Sequence, residues 1–226
     1  MPTETFQGKK SILLLKQIPL FSGLPDDQLE QLMDMVVFRK VPRNKTIVYA
    51  GDRTESMFII VHGRATVLNR DSEGNEVILT FLQAGECFGE MGLIDGLPRS
   101  ADVVSSEPCE LLEIFQNDLA KVMGQNVDLC LNIMKSLVLR LRNANRKIES
   151  LVLMDVYGRV ARLLLDLAEN EDGAKVIKRR ITKQDISKMI GASREMVSRV
   201  MKDLEKTGHI RIEKNRIVLT VAPRND

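Results

Sequence analysis

Residues 88–101, with the sequence FGEMGLIDGLPRSA, combine glycines with side chains that can bind an anion. Small residues let the backbone approach a phosphate group, and a short helix start offers N–H donors. Arg99 supplies a planar charged fork for phosphate oxygens, and Ser100 adds a hydroxyl donor. Glu90 is a hydrogen-bond acceptor. Because an arginine and a glutamate near glycines are usually structural, the residue types alone indicate only a candidate anion site.

Residues 182–207 have the features of two short helices joined by a tight turn. Thr182, followed by Asp185, predicts the N-terminal cap of the first helix. Gly191 provides the backbone freedom that the turn requires, and Ser193 predicts the cap of the second helix. Apolar residues are predicted to line the inner sides of both helices: Ile186, Met189, Ile190, Met196, Val197, Val200, Met201 and Leu204. This pattern predicts a helix-turn-helix, whose second helix enters the major groove of DNA.

The outer face of the second predicted helix carries polar residues suited to reading DNA: Arg194, Glu195, Ser198, Arg199 and Lys202. Arginine can donate to O6 and N7 of guanine, and glutamate can accept from N4 of cytosine. Further basic residues are predicted to contact phosphates: Lys178, Arg179, Arg180, Lys183, Lys188 and Lys202. Charged residues on a helix are usually just solvated, but here the turn, the apolar stripe and the local charge agree. We therefore expect double-stranded DNA as a partner.

The net charge of +2 conceals a strong asymmetry along the chain. Residues 1–124 contain 12 Lys/Arg and 18 Asp/Glu, which gives −6, whereas residues 175–216 contain 13 and 5, which gives +8. This difference indicates a polyanionic partner at one end only. No apolar run approaches the roughly 18–20 residues that cross a bilayer, and no signal peptide is evident. We expect a cytoplasmic protein without a membrane partner.

The clearest periodic signal begins at residue 127, where apolar positions alternate spacings of three and four: Val127, Cys130, Met134, Leu137, Leu141, Ala144, Ile148 and Leu151. This is the pattern of a coiled coil, kept over more than three heptads without Gly or Pro. The alternative is one face of a long helix lying on its own domain. The narrow seam favours a parallel homodimer through residues 127–151.

Short apolar runs separated by turn residues occupy the chain from residue 36 to residue 115. Strands are predicted at 36–41, 46–50, 57–61, 65–68, 77–82 and 109–115, with a hairpin tip at 71–75. Such a series implies a small antiparallel barrel or roll. Helices are predicted at 20–38 and 156–169, and a C-terminal hairpin at 211–213 and 217–221 around Lys214 and Asn215.

Cysteine and histidine usage limits the possible chemistry. Cys87, Cys109 and Cys130 lie about twenty residues apart, too far for a zinc knuckle or a disulfide scaffold, so we expect reduced thiols and no metal. His62 and His209 have no carboxylate or thiolate at ligand spacing. An enzyme is therefore not expected, there are no candidate catalytic residues, and a haem or redox sensor is disfavoured.

Taken together, these motifs resemble the catabolite activator/fumarate-nitrate regulator (CRP/FNR) superfamily over nearly the whole chain. The resemblance rests on residues 88–101, on residues 154–161 (MDVYGRVA), and on residues 191–199 (GASREMVSR). It implies an α+β fold: a cyclic-nucleotide-binding-type β-roll (double-stranded jelly roll) at 1–124, a coiled-coil dimerisation helix and hinge at 125–154, and a winged helix-turn-helix at 155–226. It also implies a transcription regulator that reads a TGTGA-like palindrome and contacts RNA polymerase.

The resemblance also implies roles for individual residues. The predicted effector-binding residues are Gly89, Glu90, Met91, Arg99, Ser100, Ala101, Ala144 and Asn145, with Glu90 on the ribose 2′-hydroxyl. The family's cyclic AMP responders hold the adenine with two small hydroxyl residues, where this chain has Ala144 and Asn145. Alanine cannot hydrogen-bond through its side chain, whereas asparagine can donate and accept. Cyclic AMP is the first expectation; cyclic GMP, cyclic di-GMP and a vestigial pocket remain alternatives.

Overall fold

The computed structural model describes residues 8–171, 173–178, 181–213 and 216–220, with side chains from residue 12 onward. They divide into two compact units, Met1–Arg140 and Leu141–Asp226. The predicted phosphate contacts Arg179 and Arg180, and the predicted turn residues Lys214 and Asn215, lie outside the described residues. Within the described ranges, no helix is both long enough and apolar enough to span a membrane.

The first unit is a β-roll flanked by helices. Its elements are α1 (Gly8–Lys16), a 3-10 turn (Pro19–Phe21), α2 (Asp26–Met35), β1 (Val36–Val41), β2 (Thr46–Val48), β3 (Ser56–His62), β4 (Ala65–Arg70), β5 (Glu76–Leu82), β6 (Cys87–Phe88), α3 (Glu90–Asp95), β7 (Asp102–Ser105), β8 (Cys109–Phe115), α4 (Gln116–Gln125) and α5 (Val127–Leu153). The last helix, α5, continues past Arg140 into the second unit.

Two four-stranded antiparallel sheets form the roll, in the orders β1-β8-β3-β6 and β2-β7-β4-β5. The interior of strand β3, residues 57–61, is apolar at every position because both of its faces are buried. Phe58 and Ile60 belong to the core that includes residues of both sheets, whereas Met57 and Ile59 belong to the core shared with α1, α2 and α5. A strand buried on both faces needs apolar residues at successive positions. The predicted β-roll is confirmed.

The predicted helix over residues 20–38 is wrong in its extent. Pro25 is the N-cap of α2, so the helix begins at Asp26 rather than at residue 20. Proline suits this position because it has no backbone N–H to donate inside a helix. The helix ends at Met35, and Val36 already pairs with Ile114 of β8. Strand pairing therefore overrides the helical pattern at residues 36–38, where β-branched and aromatic side chains also favour a strand.

The second unit contains a winged helix-turn-helix. Its further elements are α6 (Val156–Leu167), β9 (Glu169–Glu171), β10 (Ala174–Ile177), α7 (Lys183–Ile190), α8 (Arg194–Lys206), β11 (Ile210–Glu213) and β12 (Arg216–Leu219). The strands form a sheet in the order β11-β12-β10-β9. Inner faces of α6, α7 and α8 share one core with this sheet, which includes Val160, Ile186, Val197 and Ile217. The predicted fold of this unit is confirmed, and β9 and β10 are additions to it.

Candidate functional site

Glu90 is a buried carboxylate at the start of α3. It is only 2% exposed, and its Oε1 accepts a hydrogen bond from Nη1 of Arg140 at 2.6 Å. Its Oε2 is buried and has no hydrogen-bond partner among the described residues. Burying a charged oxygen without a partner is costly, so an orphaned acceptor requires an explanation. A ligand hydroxyl that donates to Oε2 would remove this cost, and the site therefore fits a hydroxyl-bearing ligand.

Arg140 is a site residue that the sequence reasoning missed. It lies on α5 and donates both to Glu90 and to the backbone carbonyl of Cys87. A signal for it existed, because Arg140 precedes Ala144 by four residues and so lies on the same face of the helix. Burial and the charge of Glu90 raise the pKa of the Cys87 thiol to about 11, so this thiol stays neutral at physiological pH.

Arg99 lies against Gly89, the residue that precedes Glu90 at the start of α3. Its side chain is half-buried, and Nη1 donates to the carbonyl of Gly89 at 3.0 Å. The guanidinium carbon is 5.9 Å from the centre of the Phe58 ring, which stacks on Phe88. These contacts hold a normally flexible side chain in one place, which lowers the entropic cost of binding an anion.

The surroundings of Arg99 act on its pKa in two opposing directions. Burial lowers the pKa of Arg99, because the charged form loses hydration. The carboxylates of Glu113, Asp52 and Glu90 act the other way and favour the charged form. The guanidinium is therefore a partly desolvated positive charge that a bound anion would stabilise.

Two glycines permit the close packing of this region. Gly89 has a φ of +83°, and a Cβ there would overlap the guanidinium of Arg99. A Cβ on Gly92 would overlap the hydroxyl of Thr54 and the carbonyl of Leu97. Gly89 and Gly92 thus allow close contacts that a larger residue would block.

The remaining predicted effector residues are not all brought together. Met91 and Ser100 are exposed, with Oγ of Ser100 3.9 Å from Sδ of Met91, and Ala101 is buried. Ala144 and Asn145 are exposed on α5, in the second unit. The structure therefore clusters Gly89, Glu90 and Arg99 and adds Arg140. The binding roles of all these residues stay predictions.

Local capping places the helices of the second unit. Oγ1 of Thr182 accepts from the backbone N–H of Asp185 at 3.0 Å, and the Asp185 carboxylate accepts in return from the N–H of Thr182. Gly191 ends α7 with a φ of +62°, which suits glycine. Ser193 then caps α8 by accepting from the N–H of Met196 at 3.2 Å. The predicted caps and turn are confirmed.

The outer face of α8 presents the predicted DNA-reading residues. Arg194, Glu195, Arg199 and Lys202 are exposed, whereas Ser198 is half-buried and accepts from Nζ of Lys183 at 3.1 Å. Because their spacing follows the helical repeat, these residues share one face.

Two predictions for the second unit need adjustment. Met196 was predicted on the inner stripe but is 45% exposed, because Val197, Met201 and Leu204 already fill the contact with the core. Lys178 forms an ion pair with Glu171 at 3.0 Å. A phosphate contact by Lys178 would therefore compete with this pair.

Comparisons with known sequences agree with both units. The profile of the family described as cyclic nucleotide-binding domain matches residues 38–126, and that of the Crp-like helix-turn-helix domain matches residues 158–223. The chain is 36% identical over 187 residues to the cAMP-activated global transcriptional regulator CRP of Pasteurella multocida, covering 80% of this chain and 88% of that protein. It is also 36% identical over 201 residues to the cAMP-activated global transcriptional regulator Vfr of Pseudomonas aeruginosa, covering 84% and 92%.

A solved structure shares the fold. The c-di-GMP responsive global regulator CLP of Xanthomonas campestris superposes with a TM-score of 0.73 at 25% identity. The match covers 88% of this chain and 100% of that one. Relatives of this architecture thus include regulators described as responding to different nucleotides.

Proposed function

The chain belongs to the CRP/FNR family of transcription regulators, and we propose that it acts as a homodimer that reads a TGTGA-like palindrome under the control of cyclic AMP. It is a DNA-binding regulator with a cyclic nucleotide-binding domain, and its relatives are regulators rather than enzymes. The proposal includes the predicted division into an effector domain (1–124), a dimerisation helix (125–154) and a DNA-binding domain (155–226). It also includes RNA polymerase as a partner.

The observation that carries the effector class is the buried, unpartnered Oε2 of Glu90 near Arg99. A cyclic mononucleotide has one free ribose 2′-hydroxyl, which can donate to this oxygen, and one singly charged phosphate. The charge of Glu90 is already matched by Arg140, so Arg99 remains for one negative charge. In this proposal Ser100 donates a second hydrogen bond to the phosphate, and Gly89, Met91 and Ala101 form the edges of its cradle.

The preference for cyclic AMP rests on the relatives and on one side chain. Both curated relatives described above are cAMP-activated. Asn145 can donate to one ring nitrogen or accept from the exocyclic amine of adenine, while Ala144 offers only a small apolar surface.

Cyclic di-GMP is the second candidate effector. It is supported by the similarity to the c-di-GMP responsive regulator CLP and by the missing hydroxyl at Ala144. Against it stands the charge of the site: Arg140 is paired with Glu90, so Arg99 alone would face the two negative charges of such a ligand.

For DNA, we propose that Arg194, Glu195 and Arg199 contact base edges and that Lys183 and Lys202 contact phosphates. Ser198, which is already bonded to Lys183, would hold that lysine in position. Two copies of α8 must enter successive major grooves about 34 Å apart. The effector would change DNA affinity only to the extent that it binds one arrangement of the dimer more tightly than another.

The test is calorimetric titration of the full-length protein with cyclic AMP, cyclic GMP and cyclic di-GMP, each with and without a palindromic TGTGA-type duplex. We expect saturable binding of cyclic AMP whose affinity changes when DNA is present, since coupling between two sites is reciprocal. Binding of cyclic di-GMP alone would replace the first candidate with the second. Binding of none would refute the effector assignment and leave a DNA reader with a vestigial pocket.

A further inference from the structure

The first half of α5 shows which side of this helix faces its own domain. Leu129 and Ile133 are completely or almost completely buried in the core of the first unit. Leu137 is half-buried and packs against the same core, and the thiol of Cys130 donates to the carbonyl of Met123. Two of the eight positions of the seam that the sequence predicts, Cys130 and Leu137, are therefore at least partly engaged within one subunit.

A different apolar stripe on the same helix faces away from the domain. Leu131, Met134 and Val138 are 42%, 51% and 48% exposed. Continuing this face along the helix with alternating spacings of three and four gives Leu141, Asn145 and Ile148, of which the two apolar members are 61% and 60% exposed. The stripe keeps the heptad period of a coiled coil and shares Met134, Leu141 and Ile148 with the predicted seam. It is rotated relative to that seam because Leu131, Val138 and Asn145 take the place of Cys130, Leu137 and Ala144.

The composition of this rotated stripe favours a second copy of the same helix as its occupant. In its heptad, Leu131, Val138 and Asn145 occupy one core position, and Met134, Leu141 and Ile148 occupy the other. Val138 and Leu141 supply the β-branched first position and the leucine second position that favour two parallel strands, and a single asparagine at the first position, as at Asn145, specifies register and oligomeric state.

We infer that, in the nucleotide-free protein, Asn145 lies in the dimer seam and pairs with the partner subunit's Asn145, which sets the parallel, in-register dimer. An asparagine amide carries both a donor and an acceptor, so two of them facing each other across a two-fold axis satisfy one another. A slipped or antiparallel arrangement would place each amide against apolar side chains, where an unsatisfied polar group is costly. This inference rests on the homodimer of the proposed function and adds the residue that determines its register.

The test compares four full-length proteins by sedimentation velocity and by thermal unfolding without nucleotide: wild type, Asn145→Val, Asn145→Val combined with Val138→Asn, and Ala144→Val. Wild type is also measured with cyclic AMP. We expect wild type to form only dimers. Asn145→Val should strengthen association on the order of tenfold but should also populate species larger than dimers, because specificity is lost while apolar contact is gained. Moving the asparagine to residue 138 should restore a discrete dimer. Ala144→Val, outside the rotated stripe, is the control and should leave assembly unchanged.

The outcomes separate this inference from the homodimer proposal. A discrete wild-type dimer together with unchanged assembly of Asn145→Val would place Asn145 outside the seam and refute the inference alone. An assembly change in Ala144→Val but not in Asn145→Val would favour the seam predicted from the sequence. A wild-type protein that remains monomeric, with and without cyclic AMP, would refute the homodimer itself.

Discussion

Glu90 and Arg194 illustrate how differently the two units hold a functional charge. Glu90 is 2% exposed, is paired with Arg140, and keeps one oxygen without a partner among the described residues. Arg194 is exposed at the start of α8 and belongs to a helix face on which other polar residues are also exposed. A small ligand can be enclosed, so its binding groups can be fixed and desolvated beforehand. A DNA duplex cannot be enclosed, so its binding groups remain in water until contact.

This comparison has an energetic consequence that mutations can test. Removing one member of a buried charge pair leaves its partner desolvated, which costs more than removing a solvated contact. Substitutions in the effector site should therefore have larger and more selective effects than those on the DNA face.

The largest effect is expected for Arg99→Ala. Loss of a fixed, half-buried cation should weaken cyclic AMP binding by about 2–5 kcal/mol, or roughly 30-fold to several thousandfold, in calorimetry. DNA binding without nucleotide should not change. Arg53→Ala is the matched control, because the side chain of Arg53 is 88% exposed on the same unit. Normal titration of Arg99→Ala would contradict the assignment of the site.

A smaller effect should appear when the ligand rather than the protein loses a group. For wild type, 2′-deoxy cyclic AMP should bind about 10- to 150-fold more weakly than cyclic AMP, because the hydrogen bond to a charged acceptor is lost. For Glu90→Gln the two ligands should differ much less. An equal penalty in both proteins would show that Glu90 does not accept from the 2′-hydroxyl.

The smallest effects are expected on the DNA face. Arg194→Ala should cost about 1–3 kcal/mol, and only at the half-site base pair whose guanine it reads. Lys202→Ala should instead weaken binding to all sequences and reduce the salt slope by about one. Titrations of a panel of single-base operator variants at several salt concentrations distinguish the two. Uniform weakening by Arg194→Ala would make it a phosphate contact.

Local signals predicted the helix-turn-helix closely, because each acts within a few residues. Thr182, Gly191 and Ser193 satisfy backbone groups next to themselves in the chain, and they cap or end the helices as predicted. The limits of β1 and β8 also agree with the predicted strands at 36–41 and 109–115, although the predicted helix at 20–38 overlapped the first of them. The two-residue strand β6 was missed because it is defined only by its pairing with β3.

The sequence by itself determined the family, the two kinds of unit and the motif around Glu90 and Arg99, since each depends on residues close together in the chain. Only the tertiary structure brought in Arg140, which follows Glu90 by 50 residues and reaches it because α5 packs beside the roll. The structure also decided which face of α5 remains exposed. Helical periodicity defines a repeating stripe, but which of two neighbouring stripes is buried depends on the core against which the helix packs.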